Sequence, residues 1–358
     1  MTDHSNLATE QGGLAGAYVR MTKERAAVLL EEFFGMSGTL RRFDTEKDDT
    51  FSVKVAEGQK FVLKIANPDE PFGEIDFQNS ILRHIEARDP TLPVPRIVSS
   101  RDGSDIVRIT DIDGSRRYVR LLTFLDGTPL DETGSNQRER VEIGKMLARL
   151  RHGTEGFSHV AEDRYYAWDV QNLLTLEHLL DEVDDPAQRN ALSLGLERFR
   201  SIERRLRNCR KQVLHNDFSE SNIVVDHDDP AFVTGIIDFG DSVKTAIAVE
   251  VATALLNQLP ETPKDDLFYR GRDIMEGYLS IAELTDEELA LIPHLVMARV
   301  VTRALLTLWR TKLFPENERY IMRNTEQGWH QLDWFLARTP EQVSDILMSF
   351  STVKGSQP

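Results

Sequence analysis

The chain has 358 residues and a formal net charge of −16, with 40% hydrophobic and 28% charged residues. This composition is typical of a soluble globular protein, and its acidity argues against a chain that binds nucleic acid by neutralising phosphates. The length favours two domains. The single cysteine, Cys209, excludes an intramolecular disulfide and any zinc site built on several thiolates.

Two stretches bear on where the protein resides. Residues 1–13 are polar and lack a basic segment followed by an apolar one, so no signal peptide is visible. The most apolar stretch, residues 289–309, is interrupted by a proline, a histidine and two arginines, which favours a buried helix over a membrane span. We therefore expect a cytoplasmic protein with neither a membrane nor a nucleic acid as partner.

The N-terminal part of the chain predicts one helix followed by strands. Thr22 has the chemistry of an N-cap for a helix that runs through Phe34 and ends at Gly35. Apolar and polar residues then alternate in a pattern that predicts a β-hairpin, with strands at 51–55 and 61–65. A further helix and two further strands are predicted at 73–87, 106–109 and 118–124.

Beyond Pro129 the pattern is mainly helical. Helical periodicity occurs at 137–151, 187–208, 246–258, 264–279, 285–309 and 315–336. Short β-like runs around polar clusters interrupt these helices at 213–241. We therefore expect an α+β fold of two lobes, a small β-rich lobe over residues 1–125 and a larger, mainly helical lobe over residues 126–358.

The β-like interruption carries the chemistry. Asp217 and Asn222 lie in a polar loop between two apolar strands, and Asp238 follows a third apolar strand. Phosphoryl transfer needs such a set, because a carboxylate orients the attacking hydroxyl while a few oxygen ligands hold Mg²⁺ against nucleotide phosphates. Lys64, in the second hairpin strand, would supply those phosphates with a fixed positive charge.

Each of these residues also has an ordinary structural explanation. A strand lysine usually faces solvent, Asp217 and Asn222 could stabilise turns, and Asp238-Phe239-Gly240 could be a turn itself. For His215 we prefer the structural explanation, a buried and hydrogen-bonded imidazole. The ordered combination decides for function: H-x-D-x-x-x-x-N, then D-F-G sixteen residues after the asparagine, with one strand lysine upstream.

These motifs resemble a known superfamily. The segment 214–241 resembles the catalytic core of the aminoglycoside phosphotransferase/choline kinase superfamily, whose fold is protein-kinase-like and bilobal. More closely, HNDFSESNIVV…GIIDFGD together with FVLKI and RLLTFLDG is similar to hydroxylysine kinases. It is also similar to bacterial kinase-like domains fused to aminotransferases, which implies an association with an aminotransferase.

The resemblance implies a role for each motif residue. Asp217 would be the catalytic base, and Lys64 the lysine that binds phosphates. Asn222 and Asp238 would hold Mg²⁺. The other implied nucleotide contacts are Gln78 of the small-lobe helix, Thr45 and Thr50 of the phosphate-loop region, and Leu122 and Phe124 of the hinge that binds the base.

The sequence departs from the superfamily pattern at two places. Gln78 stands where the small-lobe helix usually carries a glutamate that pairs with the lysine, and Glu74, one turn earlier, is the alternative partner. Residues 44–50, at the phosphate-loop position, contain no glycine. The superfamily tolerates that absence.

The implied reaction transfers the γ-phosphate of ATP or GTP to the hydroxyl of a small amino compound. The resemblance implies hydroxylysine as the acceptor and GTP as the favoured donor. Asn216, in place of a catalytic-loop arginine, and the early return of helix at 246 argue against a protein kinase. Homoserine, choline and aminoglycoside kinases share the core residues, and a catalytically inactive nucleotide-binding module is a lesser alternative.

The helical lobe must supply the acceptor site. The aromatic and acidic cluster at 162–169 suits an ammonium group; with the neighbouring loop, it provides four candidate substrate contacts, Asp163, Trp168, Asp169 and Asp241. Asp169 has an equally strong explanation as a helix-start residue, and Trp168 as a core anchor. Most of the excess acid lies in this lobe, which agrees with a cationic substrate.

Overall fold

The computed structural model describes residues 18–43, 45, 47–260, 265–315, 318, 322 and 325–351. Outside the described residues lie 1–13, Asp44 and Glu46 of the predicted phosphate loop, and parts of the predicted helices at 264–279 and 315–336. The described elements form the expected α+β fold of two lobes, with the main β-sheet in the first and most helices in the second.

A short helix opens the small lobe. Helix α1, Lys23–Leu29, begins after Thr22, whose hydroxyl accepts the Arg25 backbone N–H at 3.2 Å. It continues as one π-helical turn, Leu30–Phe34, and ends at Gly35, whose φ of +69° favours glycine. The predicted start and end of this helix are confirmed.

An antiparallel sheet forms the body of the small lobe. Its strands are β1 (Gly38–Arg42), β2 (Asp49–Val55), β3 (Lys60–Ile65), β4 (Ile97–Val98), β5 (Val107–Thr110) and β6 (Arg116–Thr123). The order is β1-β2-β3-β6-β4, with β5 paired to β6, and helix α2 (Phe72–Arg88) follows β3. The predicted hairpin β2–β3 is confirmed. The sequence does not predict β1, because Leu40 is its only buried residue.

Helices form most of the larger lobe. They are α3 (Gln137–Thr154), α4 (Pro186–Arg207), α5 (Ile247–Leu256), α6 (Gly271–Leu279), α7 (Asp286–Leu313), α8 (Thr325–Leu336) and α9 (Pro340–Ser344). A 3₁₀ helix, Val170–Glu182, precedes α4. The periodic segments therefore predict α3 to α8, although α6 begins later than its segment.

Two small sheets carry the loops that the motifs occupy. Their strands are β7 (Thr128–Pro129), β8 (Lys211–Leu214), β9 (Ile223–Val225), β10 (Val233–Ile236) and β11 (Val243–Ala246). Asp217 and Asn222 lie between β8 and β9, and Asp238 lies between β10 and β11. Because β8 pairs with β11 and β9 with β10, the two loops lie side by side.

Helix α7 is the central helix of the larger core. Within the described ranges it is the one helix long and apolar enough to cross a membrane, yet 89% of its most apolar window is buried inside the protein. It packs against α4, α5, α8 and the 3₁₀ helix. The buried helix that the interrupted apolar pattern predicts is confirmed.

Helices α3 and α6 pack backbone to backbone because each has a glycine at the crossing. A Cβ added at Gly277 would lie 1.9 Å from the Val141 carbonyl oxygen, and one at Gly144 would lie 2.0 Å from that of Ile274. A side chain at either position would force the helices apart.

We expect Gly277→Ala to lower the free energy of unfolding by roughly 1–3 kcal/mol, because the added methyl group overpacks this crossing. Gly73→Ala in α2 is the matched control, since no atom lies within 4 Å of the added Cβ, and it should be neutral or slightly stabilising. Urea unfolding followed by circular dichroism measures both variants. Equal stabilities would contradict the close contact of α3 and α6.

Candidate active site

The imidazole of His215 connects the two loops of the site. Its Nδ1 accepts the Asp217 backbone N–H at 3.3 Å, so the proton is on Nε2, which donates to the Ile237 carbonyl oxygen at 2.9 Å. The side chain is buried, and burial lowers its pKa, which favours the neutral ring. The predicted structural role of His215 is confirmed.

A buried carboxyl group supports the turn in front of Asp217. Glu250 Oε1 accepts the backbone N–H groups of His215 at 3.1 Å and of Asn216 at 3.3 Å. Asn216 has a left-handed backbone, with φ of +62°, a conformation that is uncommon outside glycine and that asparagine tolerates better than most residues. Burial raises the pKa of Glu250 to about 8. The sequence analysis misses this residue, although a lone acid in the apolar helix IAVEVATALL is a usable signal.

Asn222 holds one oxygen of the Asp217 carboxylate. Its Nδ2 donates to Asp217 Oδ2 at 2.7 Å and to the Asp217 carbonyl oxygen at 3.0 Å. Arg299 Nη2 lies 4.0 Å from the other carboxylate oxygen, Oδ1. Burial and then the Asp241 carboxylate raise the pKa of Asp217 to about 7, against the opposing charge of Arg299. A carboxylate with this pKa can accept a hydroxyl proton near neutral pH.

Asp238 and Lys64 face each other across the cleft between the lobes. Lys64 Nζ lies 3.8 Å from Asp238 Oδ1 and 3.7 Å from Asp48 Oδ2. Asp238 is left-handed, with φ of +61°, and its Oδ1 accepts the Gly240 backbone N–H at 3.2 Å. The Lys64 ammonium holds the pKa of Asp238 below its usual range. The structure thus brings together two candidate residues from different lobes.

The partner of Gln78 differs from the prediction. Its Oε1 accepts a hydrogen bond from Arg120 Nη2 at 3.0 Å rather than from Lys64. Glu74, the alternative partner, forms an ion pair with Arg164 at 2.6 Å. The expected pairing of either residue with Lys64 is therefore wrong. The sheet register is the reason, because Arg120 of β6 lies opposite Lys64 of β3 and its guanidinium takes the amide oxygen.

Arg120 is a second buried cation beside Lys64, and the sequence does not predict it. It donates only to amide oxygens among the described side chains, those of Gln78 and of Asn79, the latter at 3.2 Å. Its Nε has no hydrogen-bond partner there, and burial lowers its pKa. Two neighbouring cations at the cleft suit the phosphates of a nucleotide.

The other predicted nucleotide residues belong to the same lobe. Thr50 of β2 lies opposite Lys64, and its buried hydroxyl has no partner within the described structure. The Thr45 hydroxyl donates to a carbonyl of its own loop at 2.6 Å. Leu122 is buried near the end of β6, and Phe124 follows that strand. Their contacts with a nucleotide stay predictions.

Asp169 supports the fold rather than an acceptor site. It is 2% exposed, and its carboxylate accepts the Gln171 backbone N–H at 3.1 Å and the Thr245 hydroxyl at 3.0 Å. It caps the 3₁₀ helix Val170–Glu182. The helix-start interpretation is thereby confirmed and the expected substrate contact is wrong, because the carboxylate is buried and held by protein donors. Asp163 is exposed, and its substrate contact stays a prediction.

Trp168 and Asp241 lie near Asp217. The Arg299 guanidinium stacks 5.6 Å from the centre of the Trp168 ring and also donates to the Trp168 carbonyl oxygen. Asp241 accepts a hydrogen bond from the Tyr166 hydroxyl, and its charge raises the pKa of Asp217. An aromatic face and a carboxylate therefore accompany the base.

Arg164, which the sequence does not single out, links helix α2 to the loop after Asp238. Its Nη1 pairs with Glu74, while its other nitrogens donate to the carbonyl oxygens of Gly240 and Ser242. The side chain is only 9% exposed. The position of α2 is therefore coupled to that of the loop.

Two oxygen donors are available for a divalent cation. They are the Asp238 carboxylate and the Asn222 side-chain carbonyl, which is left without a hydrogen bond in the described structure. Within the same residues, no cluster of three or more His, Cys, Asp or Glu side chains could hold a metal alone. Mg²⁺ prefers few protein ligands completed by water and phosphate oxygens. The donor set therefore fits Mg²⁺ bound together with a nucleotide.

The cleft combines a buried carboxylate of raised pKa, two oxygen donors and a strand lysine between a β-rich and a helical lobe, an arrangement typical of kinase-like phosphotransferases. Residues 39–284 match the model of the phosphotransferase enzyme family, APH. The chain belongs to this family and is a phosphotransferase that acts on a hydroxyl group.

Two relatives and one solved structure show what the chain is similar to. The hydroxylysine kinase of Mus musculus is 26% identical, over 95% of this chain and 95% of its own. The homoserine kinase of Gluconobacter oxydans is 26% identical, over 79% of this chain and 87% of its own. The structure of the amicoumacin kinase hAmiN in complex with AMP-PNP, Ca²⁺ and Ami has a TM-score of 0.66 and 16% identity, over 90% of this chain and 96% of its own. That structure shares the fold.

Glu250→Gln should remove a titration while it keeps a hydrogen-bond acceptor. Between the ordinary pKa of 4.5 and the folded value of about 8, the folded protein holds a proton that the unfolded chain releases. Wild-type stability should therefore fall as pH rises through this window, by at most about 1.4 kcal/mol per pH unit from this group. The stability of the variant should fall less steeply over the same pH range.

Urea unfolding at several pH values measures this difference. Glu57→Gln, at an exposed turn, is the control and should follow the wild type. Parallel profiles for the wild type and Glu250→Gln would contradict a raised pKa for Glu250.

Proposed function

We propose that this protein transfers the γ-phosphate of ATP or GTP to the hydroxyl of an amino alcohol, and that hydroxylysine is its acceptor. The observation that carries the proposal is the arrangement in one cleft of Asp217, held by Asn222, with the Lys64–Asp238 pair. The hydroxylysine kinase of Mus musculus supports the choice of acceptor, because the similarity extends over 95% of this chain.

Asp217 acts as the general base. The Asn222 amide occupies its Oδ2, so Oδ1 receives the proton. The hydroxyl oxygen of the acceptor attacks the γ-phosphorus, and the bond from that phosphorus to the bridging oxygen of the nucleotide breaks. The hydroxyl proton passes to Asp217, whose pKa of about 7 suits this transfer.

Lys64 and Arg120 bind the nucleotide phosphates. In the free protein Lys64 pairs with Asp238, and a bound nucleotide brings phosphate oxygens to the same ammonium group. Mg²⁺, held by Asn222 and Asp238, would neutralise phosphate charge when bound. Leu122 and Phe124 form the apolar part of the base site. Contacts of this kind accept either purine, so ATP and GTP are both proposed donors.

Asp241 and Trp168 contact the ammonium group of the acceptor. The carboxylate provides the opposite charge, and the indole ring provides an aromatic face. Asp241 lies close enough to Asp217 to raise its pKa, so an amine bound at Asp241 would lie near the reacting hydroxyl. Homoserine is the second candidate acceptor, because the homoserine kinase of Gluconobacter oxydans is also 26% identical over most of this chain.

Asp217→Asn should lower kcat by roughly 10²- to 10⁴-fold, because the variant cannot accept the hydroxyl proton. Nucleotide affinity should stay near that of the wild type, since Lys64 and Asp238 are intact. Steady-state kinetics and calorimetric titration with a non-hydrolysable nucleotide measure the two properties. Asp228→Asn, at an exposed position in the loop between β9 and β10, is the matched control. Near-normal turnover of Asp217→Asn would exclude Asp217 as the base.

A substrate screen tests the acceptor. Hydroxylysine, homoserine, choline, ethanolamine and an aminoglycoside would each be offered with Mg²⁺ and either ATP or GTP. We expect phosphate transfer to hydroxylysine to have the highest kcat/KM. A higher value for choline or an aminoglycoside would contradict the proposal. Nucleotide binding without acceptor-dependent turnover would identify a binding module instead.

A further inference from the structure

Helix α7 carries two arginines on the face that lies beside Asp217. Arg299 and Arg303 are four residues apart, so they lie on the same side of the helix, about 6 Å apart along its axis. After burial, the charge of Arg299 contributes to the lowered pKa of Arg303. Such a pair needs an explanation, because like charges at this spacing destabilise a helix.

Arg299 has partners within the protein. It donates to the Trp168 carbonyl oxygen, stacks on the Trp168 ring, and lies 4.0 Å from Asp217 Oδ1. These contacts place its guanidinium at the base and compensate part of its charge. Arg299 therefore belongs to the catalytic cleft already described.

Arg303 has no comparable compensation. Its one hydrogen bond among the described residues joins Nη2 to the side-chain oxygen of Gln331 at 3.3 Å, and none of their carboxylates forms an ion pair with it. An amide oxygen supplies no negative charge. Burial, followed by the charge of Arg299, lowers the pKa of Arg303 to about 10, so the side chain is still a cation at neutral pH.

A partly buried cation without an anionic partner costs stability. Proteins keep such violations of local rules mainly at functional sites. The buried Arg117 pairs with Asp49 at 2.6 Å, whereas Arg303, like Arg120 of the small lobe, has an amide oxygen rather than a carboxylate as its hydrogen-bond partner. A cation held in this way is available to an anion that a ligand brings.

We propose that Arg303 binds the carboxylate of an amino-acid acceptor while the hydroxyl of that acceptor lies at Asp217. The inference rests on the proposed function and assigns the group that recognises the carboxylate of its amino-acid acceptor. One helical turn separates Arg303 from Arg299, which itself lies beside Asp217. An acceptor with its hydroxyl and its carboxylate at opposite ends of a short carbon chain spans that interval.

The acceptor is therefore bound by three kinds of group. Asp241 and Trp168 receive an amine, Asp217 receives the hydroxyl, and Arg303 forms the planar, two-pronged contact that guanidinium makes with carboxylate. Choline and ethanolamine have no carboxylate and leave the Arg303 charge uncompensated. The nucleotide phosphates bind on the other side of the cleft, at Lys64, and do not supply this anion.

Calorimetric titration of the full chain tests the proposal with two pairs of probes. Hydroxylysine and homoserine would each be compared with its decarboxylated analogue, which keeps the hydroxyl and the remaining amine groups. The wild type should bind the amino acids more tightly than the analogues. Arg303→Met should weaken amino-acid binding by roughly 10- to 100-fold while it leaves the analogues and the nucleotide unaffected. Arg303→Lys keeps a charge but not the planar fork, so its affinity for the amino acids should lie between those of the wild type and of Arg303→Met.

Arg200→Met is the matched control, because Arg200 pairs with Glu177 on the surface, and it should change none of these affinities. Arg303→Met should also melt no lower than the wild type, since it removes an uncompensated charge. Three results would overturn the proposal. Arg303→Met could weaken the binding of an amino acid and of its analogue equally, or it could lose nucleotide affinity. The wild type could also bind the amino acids no more tightly than the analogues. Should Arg303→Met fail to fold, an unchanged preference in Arg303→Lys would overturn it.

Turnover is measured separately with the same probes. Carboxylate preference that depends on Arg303, without phosphate transfer to any acceptor, would contradict the proposed function and leave the inference standing. Phosphate transfer to an amino acid and to its decarboxylated analogue with equal KM would overturn the inference and leave the proposed function standing.

Discussion

One neutral imidazole joins the two loops on which the chemistry depends. His215 accepts the N–H of Asp217 on one nitrogen and donates from the other to the carbonyl of Ile237, the residue before Asp238. A protonated ring could not accept the first bond, and an absent ring would leave both backbone groups without this partner. The ring therefore bridges the loop that carries Asp217 and the loop that carries Asp238. Glu250 supports the same turn from the opposite side.

The distribution of charge distinguishes structural pairs from ligand-binding groups. The buried pair of Arg117 and Asp49 is ionic and complete within the protein. Arg120 and Arg303, in contrast, have amide oxygens as their hydrogen-bond partners. Arg120 lies opposite Lys64 in the small lobe, and Arg303 lies one helical turn from Arg299, which pairs with Asp217. In the proposed function, anions of the nucleotide and of the acceptor supply the negative charge that these amides do not.

Local patterns explain which parts of this site can be predicted. The hairpin that carries Lys64 shows period-two alternation, and Asp217 lies three residues after the end of the β8 strand, so both positions can be predicted from neighbouring residues. The partner of Gln78 is not readable in this way, because it depends on which strand lies beside β3. Arg120 reaches that position from a strand much later in the chain. Asp169 is the intermediate case: its capping role is local, but only its burial excludes it from the acceptor site.

By itself the sequence determined the two-lobed fold class, the hairpin, most helices and the motif residues, because hydrogen bonding and side-chain periodicity within a few residues specify them. Only the tertiary structure decided which charges meet. It put Glu250 against the turn before Asp217, linked Glu74 to Arg164, and gave Arg303 the Gln331 amide as its hydrogen-bond partner. The reason is physical: the burial and the partners of a charged group depend on the packing of segments that are distant in the chain.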